Sequence, residues 1–240
     1  MESVKSVESA VSAENVNKMT FEGTQFDAVI ALNGDVPPLS VFEQLAYLPL
    51  IAADGAAASL VHIDVFPEYV VGDLDSIDAE IFRALEGISE FILDSDQNTN
   101  DFEKSLRFAT AQFWTRVLVV GMHGGDLEHT LNNWSVLMKL APSMHLTVLD
   151  RDRYIIPIST SIGVSVEPNE LISLIPQPSA RLTTSGLMWE LQDEVLSMGL
   201  REGARNIAVN RTIEIAVHEG SLLFCCDARI PWSPYIAPPI

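Results

Sequence analysis

The sequence predicts an α/β protein in two parts: an N-terminal, mostly parallel sheet with flanking helices, then a C-terminal antiparallel β-sandwich domain. Three observations predict it. Through residue 150, short apolar runs rich in Val, Ile and Ala alternate with segments of helical periodicity, the pattern of β-α units around a parallel sheet. Those runs end in Asp or Gly, so acids gather where strands stop. Beyond Asp150 the helical period fades, and β-like runs recur between Pro, Gly and Asn, as in a sandwich.

Each element has its own signal. Residues 1–25 lack an apolar period and are rich in Ser, Glu and Asn, which predicts a disordered head. Phe26–Leu32 reads as the first strand, closed by the turn Asn33-Gly34-Asp35. A short helix over Ser40–Ala46 follows Pro37-Pro38. Leu50–Ala53 is a strand ending in Asp54-Gly55, and the small residues of Ala56–His62 suit a helix close to a sheet. Glu68–Val71 is a third strand, with a helix over Asp78–Leu85 placing Ile81, Phe82 and Leu85 on one face. Glu90–Leu93 leads into an acidic loop, then a helix with Phe102, Leu106, Ala109 and Phe113 as its buried stripe. Arg116–Val120 is followed by Gly121-Met122-His123-Gly124-Gly125-Asp126 and a helix with Leu127, Leu131, Trp134 and Met138 inward. His145–Leu149 closes the parallel part. The sandwich strands are Tyr154–Ile158, Gly163–Val166, Leu171–Ile175, Arg181–Thr184, Ile213–Val217 and Leu222–Cys226, with an extended tail from Pro231. The expected units are thus 1–25, 26–150 and 151–240.

Composition narrows the function. With 14 Lys+Arg against 33 Asp+Glu the formal charge is −19, which argues against a nucleic-acid partner. No apolar run is long enough to span a bilayer, and the first twenty residues lack the apolar core of a signal peptide, so a cytoplasmic location with no membrane partner is expected. Cys225 and Cys226 are adjacent and point to opposite faces of a strand, which disfavours a mutual disulfide or a zinc site.

The chemistry concentrates in Val70-Val71-Gly72-Asp73-Leu74-Asp75-Ser76-Ile77. It reads as a strand leaving the core with two carboxylates at its tip, where open α/β sheets bind ligands. Two close carboxylates repel unless a cation neutralises them, and Mg²⁺ is the usual hard cation for oxygen ligands. Alone, the motif is equally a solvated acidic turn. Four strand tips carry acids, however: Asp54; Asp73 and Asp75; Asp94, Asp96 and Asp101; Asp126 and Glu128. On one edge of a parallel sheet they line a crevice. Lys104 offers a positive charge beside it. Gly124-Gly125 before a helix allows close backbone approach, and the helix N-terminus presents free amides to an anion. His129 suits a phosphate contact or a plain helix surface. No phosphate loop, dinucleotide fingerprint, nucleophile elbow or zinc spacing is present.

The order of these motifs resembles the thiamine pyrophosphokinase family. The matching pieces are Asp54-Gly55, Gly72-Asp73-Leu74-Asp75-Ser76-Ile77, the run Asp96 to Lys104, the run Gly121 to His129, Thr184-Ser185-Gly186-Leu187-Met188-Trp189 and Gly203-Ala204-Arg205-Asn206. The resemblance implies a homodimer that transfers a pyrophosphoryl group from ATP to thiamine, giving thiamine diphosphate and AMP, with Mg²⁺. It implies that Asp73, Asp75 and Asp101 hold Mg²⁺ and the triphosphate, with Asp73 or Asp101 accepting the hydroxyl proton. Asp54 and Asp96 would line the pocket with Gly124, Gly125, Glu128 and His129, and Lys104 would meet a phosphate. Trp189 would pack on the thiamine rings, from the partner subunit, and Asn206 would shape that pocket; on chemistry alone Trp189 is a sandwich core residue. Against the family pattern, Asn100 replaces a usual Thr, Asp126 an Arg, Glu128 an Asp and Arg205 a Ser. Losing that Arg removes a bidentate phosphate partner, for which Arg107 or Arg205 are the candidate substitutes. Three other readings use the same acids: a diphosphokinase with another acceptor alcohol, such as a hydroxymethylpterin; a nucleotide- or thiamine-binding protein without catalysis; and a metal-dependent phosphohydrolase.

Overall fold

In the computed structural model, which describes residues 16–237, the parallel part is built on six strands. They are β2 (Ala28–Ala31), β3 (Leu50–Ala53), β4 (Tyr69–Gly72), β5 (Glu90–Leu93), β6 (Arg116–Val120) and β7 (His145–Asp150). Their spatial order is β7-β6-β2-β3-β4-β5, all parallel. The chain walks outward from β2 to β5, then returns across β2 to lay down β6 and β7.

That reversal sorts the helices, because parallel crossovers keep one hand. Helices α1 (Leu39–Gln44), α2 (Ala56–Val61) and α3 (Ala79–Leu85) bury Phe42, Leu60 and Leu85 on one face, against Val29, Ala52 and Val70. Helices α4 (Asp101–Ala111) and α5 (Leu127–Leu140) bury Phe102, Leu106 and Leu137 on the other, against Ile30, Ile51 and Val71. Alternate residues of one strand thus serve opposite cores.

Two expected stripes are corrected. Phe113 is 89% exposed, because α4 ends at Ala111 and Phe113 turns to a positive φ of 63°. Leu127 and Leu131 are also exposed, while α5 buries Val136 and Leu137; its first turns stand out over the strand tips and only its later turns lie on the sheet. Phe82 is exposed but stacks on Phe91 at 5.0 Å between ring centres.

The sheet does not stop at residue 150. β8 (Arg153–Ile158) pairs antiparallel with β7 across a two-residue turn, and everything beyond is antiparallel except one pair. The remaining strands are β9 (Ile162–Ser165), β10 (Leu171–Ser185), β11 (Glu194–Ser197), β12 (Gly203–Ile207), β13 (Thr212–Asp227) and β14 (Tyr235–Ala237). The four runs expected between Leu171 and Cys226 are two long bent strands, β10 and β13. Their mutual register slips between Pro176 and Ala180, so the prolines fall at a bulge, where a sheet tolerates them.

The expected disordered head is corrected over its last residues. Asn17–Thr20 form β1, parallel to β9 and antiparallel to β14; residues 1–15 lie outside the described residues. Cys226 is buried in one core and Cys225 packs against the other, both as free thiols, as strand alternation requires.

Candidate active site

The crevice opens where the strand order reverses, beside the tips of β2, β3 and β6. It is a cavity of about 400 Å³ lined by residues that include Asn33, Asp54, Ser76, Asp101, Gly124, Gly125, Asp126 and His129. Reversal points in open sheets leave such a space, because neighbouring loops diverge to opposite faces.

Asp54 follows β3 and is 3% exposed, at a positive φ of 40°. Its Oδ1 is buried with no hydrogen-bond partner among the described residues. Burial raises its pKa, Ser76 partly offsets this, and Asp101, Asp73 and Asp75 push it further up. After β4, Leu74 takes a φ of +64°. A leucine there is strained, and the reversed chain brings the carboxylates on either side of it to one point. One oxygen each from Asp54, Asp73 and Asp75 lie within 4.8 Å of one another. Gly72 makes this approach possible: a Cβ on it would stand 2.7 Å from Asp54 Cβ and 3.2 Å from Asp101 Oδ1.

The unpartnered Asp54 oxygen and an all-carboxylate donor set fit a hard divalent cation. The sequence reading put Asp101 in that set and Asp54 outside it. In the structure Asp101 Oδ1 accepts a hydrogen bond from Lys104 Nζ at 2.9 Å. Lys104 is 3% exposed and also lies 3.7 Å from Asp73. Burial opposes its charge, but Asp101, Asp73 and Asp94 outweigh burial and hold the ammonium above its ordinary range. Gln97 Nε2 donates to Asp73 at 3.1 Å, and this bond, then the charge of Lys104, holds Asp73 below the ordinary carboxylate range.

The other predicted residues divide. Gly124, Gly125 and His129 line the cavity; Glu128 does not. Gly124 has a φ of +103°, and a Cβ there would strike the Asp35 side chain. Asp96 also stands outside the lining. It accepts from Asn98 N at 2.9 Å and lies 3.5 Å from Arg107, which pairs with Asp94 at 2.5 Å. Arg107 is thus engaged by the 94–99 loop and lies outside the cavity lining. Asn100 caps α4 through Glu103 N at 2.9 Å and donates to Asn133 of α5 at 2.9 Å, joining the two helices that flank the crevice. Trp189 and Asn206 are bonded to each other, away from the cavity lining, and Trp189 is 60% exposed, which overturns the core reading of this residue. Sequence reasoning missed Asn33, Gln97 and Asn133. Asn33 carried a signal, since it sits at a parallel strand tip as the acids do; Gln97 lies within the Asp96 to Lys104 run, and Asn133 is one helical turn from His129.

Comparison with known proteins bears on this geometry. Residues 46–148 match the family model for the thiamin pyrophosphokinase catalytic domain, and residues 155–222 that for the thiamin pyrophosphokinase vitamin B1 binding domain. Thiamine pyrophosphokinase 1 of Oryza sativa subsp. japonica is 29% identical over 164 residues, 62% of this chain and 62% of that protein. Thiamine pyrophosphokinase 1 of Arabidopsis thaliana is 26% identical over 229 residues, 82% of this chain and 84% of that protein. The yeast thiamin pyrophosphokinase structure superposes with a TM-score of 0.75 at 18% identity, covering 91% of this chain and 93% of that one. The Candida albicans structure gives 0.71 at 16% identity, with 85% and 90% covered. At such identity the structures speak for the fold.

Proposed function

This chain belongs to the thiamin pyrophosphokinase family, and from that premise we propose that it transfers the pyrophosphoryl group of ATP to the hydroxyethyl oxygen of thiamine. The new bond joins that oxygen to the β-phosphorus, the bond between the α-phosphate and the β-phosphorus breaks, AMP leaves, and the hydroxyl proton passes to a carboxylate. The observation that carries the reading is the convergence of Asp54, Asp73 and Asp75 on one point beside the cavity.

Such a transfer needs charge neutralisation and in-line positioning more than covalent chemistry. Asp54, Asp73 and Asp75 would hold Mg²⁺, which would supply neutralisation of the polyphosphate. Lys104, fixed by Asp101, adds a buried positive charge. Gly124, Gly125 and Asp126, the N-cap of α5, line the same space, and amides of this loop and of the first turn of α5 would receive phosphate oxygens. Asp101 lines the cavity whereas Asp73 does not, which favours Asp101 as the proton acceptor. No lysine or arginine lines the cavity among the described residues, and Asp126 lines it at the family's usual Arg position. Within the lining itself, phosphate oxygens would therefore meet backbone amides, with Lys104 behind the lining beside Asp101 and Asp73.

Residues 26–150 serve as the nucleotide unit and residues 151–240 as the acceptor unit of a homodimer. The exposed Trp189 of one protomer covers the cavity of its partner, its face meeting the cationic thiazolium. The test is product analysis by mass spectrometry with purified protein, ATP, Mg²⁺ and thiamine. Thiamine diphosphate and AMP are expected, and are lost on chelation. Phosphate release without an acceptor, or thiamine binding without product, overturns the assignment.

A further inference from the structure

We infer that Asn206 is a positioning residue that sets Trp189 through its backbone and does not itself touch the acceptor; the role of Trp189 rests on the function proposed above. Asn206 Oδ1 accepts from Trp189 N at 3.2 Å and from Ile207 N at 2.8 Å, while its Nδ2 donates to Trp189 O at 2.7 Å. Only one orientation of the amide satisfies two N–H groups and one carbonyl in this arrangement, and three of its four hydrogen-bonding positions are then engaged. Asn206 is buried, whereas Trp189, whose backbone it bonds, is exposed.

The surrounding contacts serve the same end. Met188 N donates to Ile207 O at 2.8 Å, and Leu187 bridges to Ala208. Gly186 N donates to Glu190 at 2.9 Å, and Leu191 N to Thr184 Oγ1 at 2.9 Å. The 186–191 loop is thus fastened at its base and along β12, and Asn206 grips its exposed corner. With the backbone of Trp189 held this way, a flat cation that binds the ring orders less of the loop, so less conformational freedom is lost on binding. Asn suits the position because it offers an acceptor and a donor to the N–H and C=O of one residue. Asp lacks the donor, and Ser is too short to reach both.

Steady-state kinetics with thiamine and ATP varied separately test this in the wild type, Asn206→Ala, Trp189→Ala and the double variant. Asn206→Ala is expected to raise KM for thiamine about tenfold, roughly the worth of the lost hydrogen bonds, and to leave KM for ATP within about twofold. In the Trp189→Ala background the same change adds less than about twofold, because its target is gone. An equal penalty in both backgrounds shows that Asn206 meets the acceptor directly and overturns the inference. Should Asn206→Ala fail to fold, Asn206→Asp carries the test, and an unchanged thiamine KM in it also overturns the inference. A second readout is independent of turnover. With fluorotryptophan incorporated, the ¹⁹F resonance assigned by Trp189→Phe is expected to be single and sharp in the wild type, and broadened or split in the Asn206 variant. An unmoved sharp line refutes the clamp whether or not thiamine is a substrate; absence of thiamine turnover in the wild type counts against the proposed activity instead.

Discussion

Asp54 is a side chain for which folding alone gives little return. It is buried, one oxygen has no partner among the described residues, and three further carboxylates raise its pKa. An unsatisfied buried polar atom costs about 1–3 kcal/mol, a cost the fold sustains for binding. Asp54→Asn is therefore expected to raise the melting temperature of the metal-free protein by a few degrees, given roughly 2–4 °C per kcal/mol at this size. The same variant is expected to lose the stabilisation that added Mg²⁺ gives the wild type. Thermal melts with and without Mg²⁺ read both effects, and an Asp54→Asn protein still stabilised by Mg²⁺ would remove Asp54 from the metal set. Leu74 belongs to the same scale. Its strained φ is invisible in the sequence, since nothing in Asp-Leu-Asp states that both acids turn to one point.

At the scale of elements, β13 shows how strand alternation sets chemistry. Cys225 and Cys226 face opposite cores, and burial pushes their thiols up to about 11 and about 12 respectively. Thiolate is the reactive form, so neither is expected to alkylate with iodoacetamide at pH 8 in the folded protein, and both are expected to do so in denaturant; mass spectrometry of the labelled chain decides it. Elements also mark where local pattern failed. The stripe read on α5 included Leu127 and Leu131, which have the right spacing yet stand in solvent. Periodicity gives a helix its apolar face but not the part of its length that reaches the sheet. The breaks read within β10 and β13 failed for a related reason, because a bulge lets one strand continue through residues that usually end it.

At the scale of the molecule, the first and last described strands, β1 and β14, pair with each other beside β9. Arg229 pairs with the buried Glu170 at 2.8 and 3.0 Å and stacks over Phe21 at 4.4 Å, while Asp227 N donates to Glu170 at 2.9 Å. Tyr154 OH donates to Trp232 O at 3.0 Å nearby. Removing one partner of a buried pair strands the other charge, at about 3–5 kcal/mol. Arg229→Ala is thus expected to lower the melting temperature by roughly 6–20 °C, and a change of under about 2 °C in a thermal melt would show that the pair holds nothing together.

The sequence by itself determined the alternation of strands and helices to residue 150, the change of texture beyond it, and the strand tips at which acids gather. These depend on residue type and local spacing, which the chain carries everywhere along its length. It also carried the motif order that marks the family. Only the tertiary structure decided that oxygens of Asp54, Asp73 and Asp75 come within 4.8 Å of one another, that Asp101 accepts from Lys104, that Asp96 and Glu128 lie outside the cavity lining, and that Asn206 bonds the Trp189 backbone. Those outcomes depend on which loops a reversed strand order brings together and how closely Gly72 lets them approach, and neither quantity is encoded in any single stretch of residues.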